Sequence, residues 1–219
     1  MKIELSERAK AFMNGICKNH TGKMQGMQSF STSCTDNKYC KVYSKLPGSI
    51  CSHCYAQRQL AYQHSTENKC IRNGAIVKDS IMTDDDIPII CAPLFRWESF
   101  GDVETVFQAA NYIKISAANP GVQFGWFTKN AFIIDMAINL FHLEKPANLT
   151  IIGSSKYLNV YDSTFEKYWF VDHVFTVYSK DYTREHHIDI SCGARCCATC
   201  QNCYCKAKKA PYRINELLK

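Results

Sequence analysis

The chain has 219 residues, which is enough for one sizeable hydrophobic core and too few for two ordinary domains with linkers. Hydrophobic residues make up 46% and charged residues 21%, values typical of a globular protein, so long disordered stretches are excluded. The net charge of +6 is weaker than that of a dedicated nucleic-acid binder. No apolar run approaches the roughly 20 residues of a membrane span, and the sequence predicts a soluble, cytoplasmic protein.

Cysteine is the unusual component of the composition. Thirteen cysteines fall in two blocks, 17–91 and 192–205, with none between them. A disulfide framework predicts an even count and a secretory leader, whereas the count here is odd and residues 1–10 are charged. Metal-bound thiolates in a reducing compartment are the better explanation.

The N-terminal third predicts loops that carry cysteines between short helices. We expect a helix over 6–13, a loop over 14–33, and two helices over 55–64 and 67–78. The first cysteine group precedes these last helices and consists of Cys34, Cys40, Cys51 and Cys54.

The position of the first cysteine group favours a metal site. The Pro47-Gly48 turn would fold Cys40 back toward Cys51, and a helix begins directly after Cys54. The free amides of a helix N-terminus stabilise thiolates and anionic clusters. A 4Fe-4S cluster is the favoured occupant; zinc, or one site with spare thiols, is the alternative.

Strands and helices alternate in the remaining core. The predicted strands are 87–95, 122–127, 149–153 and 171–178, and the predicted helices are 103–117, 130–142 and 163–169. Such alternation indicates right-handed βαβ units around a parallel sheet. We expect one α/β domain over 1–219, built as a TIM-barrel-like fold, with a small or partial barrel or an open sheet as variants. Its parts are a cysteine-rich segment at 30–55, the βα core at 85–180 and a cysteine cluster at 186–205.

Polar residues follow two neighbouring predicted strands. Arg96, Glu98 and Asp102 come after the first, and Lys129 comes after the second. Chemistry in parallel βα folds gathers at the carboxyl ends of strands. We therefore predict a cleft formed by these four residues for a small anionic molecule or a nucleotide, with a structural ion pair as the alternative.

The C-terminal block has six cysteines in fourteen residues. Cys197, Cys200 and Cys203 have the Cys-x-x-Cys-x-x-Cys spacing with which one loop can hold three irons of a cubane cluster. Cys192 is the first candidate for the fourth ligand and Cys196 the second. Zinc is the alternative metal, although zinc usually takes two separated cysteine pairs. We call Cys192, Cys197, Cys200 and Cys203 the second cysteine group.

The other cysteines and the basic residues are assigned ordinary roles. Cys17, Cys70, Cys91 and Cys205 are predicted to be buried or spare thiols, with Cys70 on a helix and Cys91 inside a strand. The C-terminal run of Lys206, Lys208, Lys209 and Arg213 could contact phosphates, but a solvated face is the commoner meaning. His186 and His187 are predicted to lie on a polar loop.

The combination of motifs resembles the phage "gene product 88" family. The resemblance is carried by Cys51-Ser-His-Cys54-Tyr55-Ala56, Arg96 with Gly101-Asp102, Phe124 to Thr128-Lys129, and the Cys192 to Cys203 block. It implies an iron-sulfur-binding fold similar to a TIM barrel, of viral origin and hence in the host cytoplasm. Glu98 stands where the family pattern has a different polar residue.

These observations lead to one main hypothesis and two alternatives. The main hypothesis is an enzyme with two 4Fe-4S clusters and redox or radical chemistry on a small anionic or nucleotide substrate. The radical S-adenosylmethionine signature is incomplete, because Pro47 stands where its first cysteine is expected. The alternatives are a zinc-stapled module that binds nucleic acid or a host protein without catalysis, and an electron-transfer protein. The sequence leaves the oligomeric state open.

Overall fold

The computed structural model describes residues 5–204 and 212–218. In these residues a six-stranded parallel sheet is built from β1 (Gln28–Phe30), β2 (Leu94–Trp97), β3 (Gln123–Thr128), β4 (Leu149–Ser154), β5 (His173–Tyr178) and β6 (Arg213–Leu217). The α-helices are α1 (Glu7–Gly15), α2 (Lys38–Tyr43), α3 (Tyr55–Leu60), α4 (His64–Val77), α5 (Val106–Ala118), α6 (Ala131–Phe141), α7 (Lys180–Glu185) and α8 (Cys197–Cys200).

The strand order follows the order of the chain. Each strand pairs in parallel with the next, from β1 through β6. Right-handed crossovers, which are nearly universal, place every connecting helix of such a sheet on the same face. A doubly wound fold would instead reverse its strand order. The predicted α/β class with a parallel sheet is confirmed, and the order is compatible with a complete or a partial barrel.

One face of the sheet forms the main core. Phe95 and Trp97 of β2 and Phe124 and Trp126 of β3 are fully buried there. Tyr112 of α5 stacks on Trp97 with ring centroids 4.1 Å apart. Because side chains alternate along a strand, the residues between these aromatics point to the opposite face. We call this opposite face, which carries Arg96 and Phe127, the inner face.

The first predicted strand begins later than expected. Residues 87–93 lack strand structure, and β2 starts at Leu94. Pro88 and Pro93 have no N–H group to donate to a neighbouring strand. The side chain of Asn119 instead pairs with the backbone of this segment: it accepts from the Ile90 N–H at 2.8 Å and donates to the Pro88 carbonyl at 3.0 Å.

Two strands and several helices were not located from the sequence. The three residues of β1 lie inside the segment predicted as a loop, and β6 follows the C-terminal cysteines. α2, α7 and α8 are four to six residues long. Segments this short carry too little periodicity to stand out.

Among the described residues, no helix combines the length and apolar character needed to cross a membrane.

Candidate functional site

The structure brings the first cysteine group together from three short elements. Cys34 follows β1, Cys40 lies in α2, and Cys51 belongs to a 3-10 turn at Ile50–His53 that ends at Cys54, the N-cap of α3. Cys40 and Cys54 pack against the buried Cys34. Cys51 is near enough to Cys40 and Cys54 for their charges to interact. The four predicted ligands therefore share one locality at the carboxyl end of the sheet.

Hydrogen bonds make Cys54 the most acidic thiol of this group. Hydrogen bonds from the Cys34 thiol and from the backbone N–H groups of Gln57 and Ala56 together lower the pKa of Cys54 to about 6, against the effect of burial. These amides belong to the first turn of α3, which begins directly after Cys54 as predicted. Burial raises the pKa of Cys40, so its thiol is protonated at neutral pH.

Lys129 and Asp102 lie beside the first cysteine group. Asp102 is buried and accepts the Thr128 hydroxyl at 2.6 Å and the Lys129 backbone N–H at 2.8 Å. Tyr39 of α2 donates its hydroxyl to the Lys129 carbonyl at 3.2 Å. These bonds fix the backbone at Lys129, and its charge interacts with Cys51, Asp102 and Cys40.

The Lys129 ammonium group has no protein acceptor in residues 5–204 and 212–218. Asp102 and the thiols raise the pKa of Lys129 against the effect of burial, so the group stays charged. None of the hydrogen bonds and ion pairs of the described residues includes its Nζ atom. A half-buried cation with this environment favours an anionic neighbour.

Glu98 is buried at the centre of a hydrogen-bond network. Its carboxylate is 3% exposed and accepts from the Thr32 backbone N–H and hydroxyl, from Gln108 and from Tyr112 at 2.6 to 3.0 Å. Its backbone has a φ of 57°, a conformation that is uncommon outside glycine. Burial raises the pKa of Glu98, an effect that the hydrogen bond from Tyr112 opposes. All four donors are part of the fold, so we assign Glu98 a positioning role for the loop that carries Cys34.

The second cysteine group lies on the inner face of the sheet. The Cys192 backbone N–H donates to the Asn215 carbonyl of β6 at 2.9 Å, and Lys23 donates to the Cys192 sulfur at 3.4 Å. Cys197 and Cys203 pack with Phe127 of β3. The charges of Cys197 and Cys203 each interact with those of Cys192 and Cys200.

Cys196 takes no part in this arrangement. Its thiol donates to the Gln25 carbonyl at 3.4 Å, and N–H groups at Thr199 and Ala198 lower the pKa of Cys196. Cys192, the first candidate for the fourth ligand from the sequence, lies with Cys197 and Cys203 in this arrangement, and its role as a ligand stays a prediction.

Arg96 lies within β2 on the inner face, and its predicted position after the strand is wrong because β2 continues to Trp97, past the predicted end at residue 95. Its guanidinium stacks on the Phe127 ring at 4.2 Å from the centroid. Arg96 is in register with Gly125 of β3, and a methyl group at Gly125 would approach Tyr204 to within 2.3 Å. Gly125 thus provides the space in which the Tyr204 ring rests on the sheet.

The remaining predicted residues lie elsewhere. Cys70 is buried in α4 as predicted, whereas Cys91 is exposed in the irregular segment before β2, and its assignment to a strand is wrong. His186 ends α7 and stacks on Tyr182. Arg213 of β6 is held over the Tyr161 ring at 3.9 Å. Cys205, Lys206, Lys208 and Lys209 lie outside the described residues.

The donor chemistry of both groups suits a metal-sulfur cofactor. Each group offers four thiols, the ligand type and number that a cubane cluster takes, and each has a cation beside it, Lys129 or Arg96. Within the described part of the chain, no three His, Cys, Asp or Glu side chains are positioned to hold a single metal ion.

Sequence reasoning missed the residues that anchor the second cysteine group. Lys23 forms an ion pair with Glu216 at 2.5 Å, although the two stand 193 positions apart. Nothing local in the sequence marks such a contact. Gly125 did carry a signal, since a glycine inside an apolar strand often marks the close approach of another segment.

Comparison of the chain with protein-family models, with curated proteins and with solved structures gave no significant match. The resemblance to the "gene product 88" family therefore stays a prediction.

Proposed function

We propose that the protein binds two 4Fe-4S clusters, one in each cysteine group, and acts as a redox or radical-type enzyme on a small anionic or nucleotide substrate. The observation that carries the proposal is that each of two sets of four thiols lies together in the fold, one set drawn from three short elements and the other from one C-terminal segment. When bound, such clusters supply one-electron transfer.

The roles of the protein's own residues follow from their contacts. The first turn of α3 stabilises negative charge on Cys54 through two backbone amides. Asp102 holds the backbone of Lys129, so the ammonium group faces the first cysteine group from the end of β3. Lys129 is the residue that we assign to the anionic substrate.

Iron and sulfide analysis tests the metal assignment. Anaerobically purified protein should be coloured and contain about eight irons and as much acid-labile sulfide, the content of two cubane clusters. Cys51→Ala and Cys200→Ala should each lose roughly half of this iron, because each removes a ligand from a different group. Cys91→Ala is the matched control, since Cys91 is exposed and belongs to neither group.

A colourless protein that contains zinc and no sulfide would contradict the proposal. That result would favour the zinc-stapled binding module. Iron loss from both groups in each single variant would show that the groups are not separate sites.

Replacement of Lys129 tests the substrate class. We expect Lys129→Gln to weaken the binding of adenosine triphosphate and of inorganic phosphate by roughly tenfold or more, because a charged hydrogen bond contributes about 1.5–3 kcal/mol. Isothermal titration calorimetry at two salt concentrations measures the loss. Lys10→Gln, on the exposed side of α1, should bind as the unaltered protein does. Equal affinity for Lys129→Gln would remove Lys129 from the substrate site.

A further inference from the structure

Two buried hydrogen-bond donors on the inner face have no acceptor in the described part of the protein. They are Nε of Arg96 and the hydroxyl group of Tyr204. A buried donor without a partner costs about 1–3 kcal/mol, and native proteins contain few of them. Trp126 Nε1 is also without an acceptor, but it lies on the other face among aromatic rings. The Arg96 guanidinium and the Tyr204 hydroxyl interact with each other, yet the Arg96 Nε–H and the Tyr204 O–H both lack an acceptor among the described residues, which indicates an acceptor outside them.

The surroundings of these donors identify the chemistry of that acceptor. Tyr204 directly follows Cys203 and is 1% exposed. It packs in one cluster with Cys197, Cys203 and Phe127, and Phe127 is the ring on which Arg96 stacks. Both donors lie close to the thiols of Cys197 and Cys203, so sulfur atoms of the second cysteine group and of the cluster that it would hold are candidate acceptors.

Arg96 also lacks a carboxylate partner among residues 5–204 and 212–218. The ion pairs in this part of the chain do not include it, and the groups facing it are Tyr204, Tyr55 and the thiols of Cys197 and Cys203. A buried guanidinium needs a counter-charge, and among the described groups beside Arg96 the thiols of Cys197 and Cys203 would supply it as metal-bound thiolates.

We propose that Arg96 and Tyr204 donate hydrogen bonds to sulfur atoms of the cluster held by the second cysteine group and thereby set its reduction potential. The inference rests on the proposed function. Both residues would then adjust the reduction potential of that cluster. Arg96 is accordingly no longer assigned to the predicted substrate cleft. Donors and positive charge stabilise the reduced, more negative cluster, so both residues raise its potential.

An electron paramagnetic resonance redox titration of the full-length, cluster-loaded protein tests this inference. Tyr204→Phe removes only the hydroxyl group, and Arg96→Lys removes Nε while keeping the charge. Each should shift the midpoint potential of the second-group cluster to a more negative value and leave that of the first-group cluster in place. The variants Cys51→Ala and Cys200→Ala each lose one cluster and so show which resonance signal belongs to which cysteine group.

Deuterium exchange supplies a second readout. In heavy water, pulsed spectroscopy should detect exchangeable deuterons coupled to the second-group cluster, and Tyr204→Phe should lose one of these couplings. Tyr112→Phe is the matched control, because Tyr112 is a buried tyrosine whose hydroxyl already donates to Glu98. Its replacement should leave both potentials unchanged.

The outcomes separate the inference from the proposed function. Unaltered potentials and couplings in Tyr204→Phe and Arg96→Lys, with both clusters present, would overturn the inference alone. Protein without iron and sulfide would overturn both.

Discussion

Replacement of Gly125 by alanine should release the second cysteine group and leave the first intact. The added methyl group would lie 2.3 Å from the Tyr204 ring and 3.0 Å from the Cys203 carbonyl, so the segment that carries Cys203 has to move off the sheet. Overpacking of this kind costs about 1–3 kcal/mol. We expect a lower melting temperature, and loss of about half of the bound iron if each group holds one cubane cluster.

Gly121→Ala is the control for this change. No atom lies within 4 Å of a methyl group at Gly121, so iron content and melting temperature should stay close to those of the unaltered protein. Full iron content in Gly125→Ala would show that the contact between Tyr204 and the sheet does not hold the second cysteine group in place.

Glu98→Ala should destabilise the protein more than Gly125→Ala does. The change leaves four buried donors, on Thr32, Gln108 and Tyr112, without their common acceptor. Each unsatisfied donor costs about 1–3 kcal/mol, partly recovered by relaxation, so we expect a loss of about 3–5 kcal/mol. Urea unfolding measures it as a lower transition midpoint.

Glu98→Gln separates the hydrogen-bond network from the charge. With its oxygen in the place of Oε1, glutamine keeps three of the four bonds and faces the Thr32 N–H with its NH₂ group. We expect a loss of about 1–2 kcal/mol and normal iron content, the signature of a positioning residue. Glu185→Gln, at the exposed end of α7, should change stability by less than about 0.5 kcal/mol. A Glu98→Gln protein as unstable as Glu98→Ala would contradict the hydrogen-bond account.

The fold class and the grouping of the cysteines could be predicted from the sequence because both depend on local patterns. Alternating apolar segments determine the order of strands and helices, and Cys-x-x-Cys spacings bring thiols close within one turn. The ranking of Cys192 before Cys196 as the fourth ligand stays a prediction; in the structure the Cys196 thiol donates to the Gln25 carbonyl.

The parts that could not be predicted depend on long-range packing. The prolines at 88 and 93 delay the start of β2, and its end at Trp97, two residues past the predicted end, places Arg96 inside the strand on the inner face. Glu98 was grouped with the cleft because it follows a strand. Its true environment depends on Thr32, 66 positions earlier, and on two side chains of α5. No periodicity in the sequence reports such contacts.

The ion pair between Lys23 and Glu216 has a consequence for the order in which the protein assembles during synthesis. All four thiols of the first cysteine group have left the ribosome soon after residue 54, whereas the second group needs β6 and its Asn215 carbonyl, which are made much later. Domains tend to fold from the N-terminus as they emerge. The first group can therefore close on a partly made chain, while the second closes only once β6 is made and Glu216 meets Lys23.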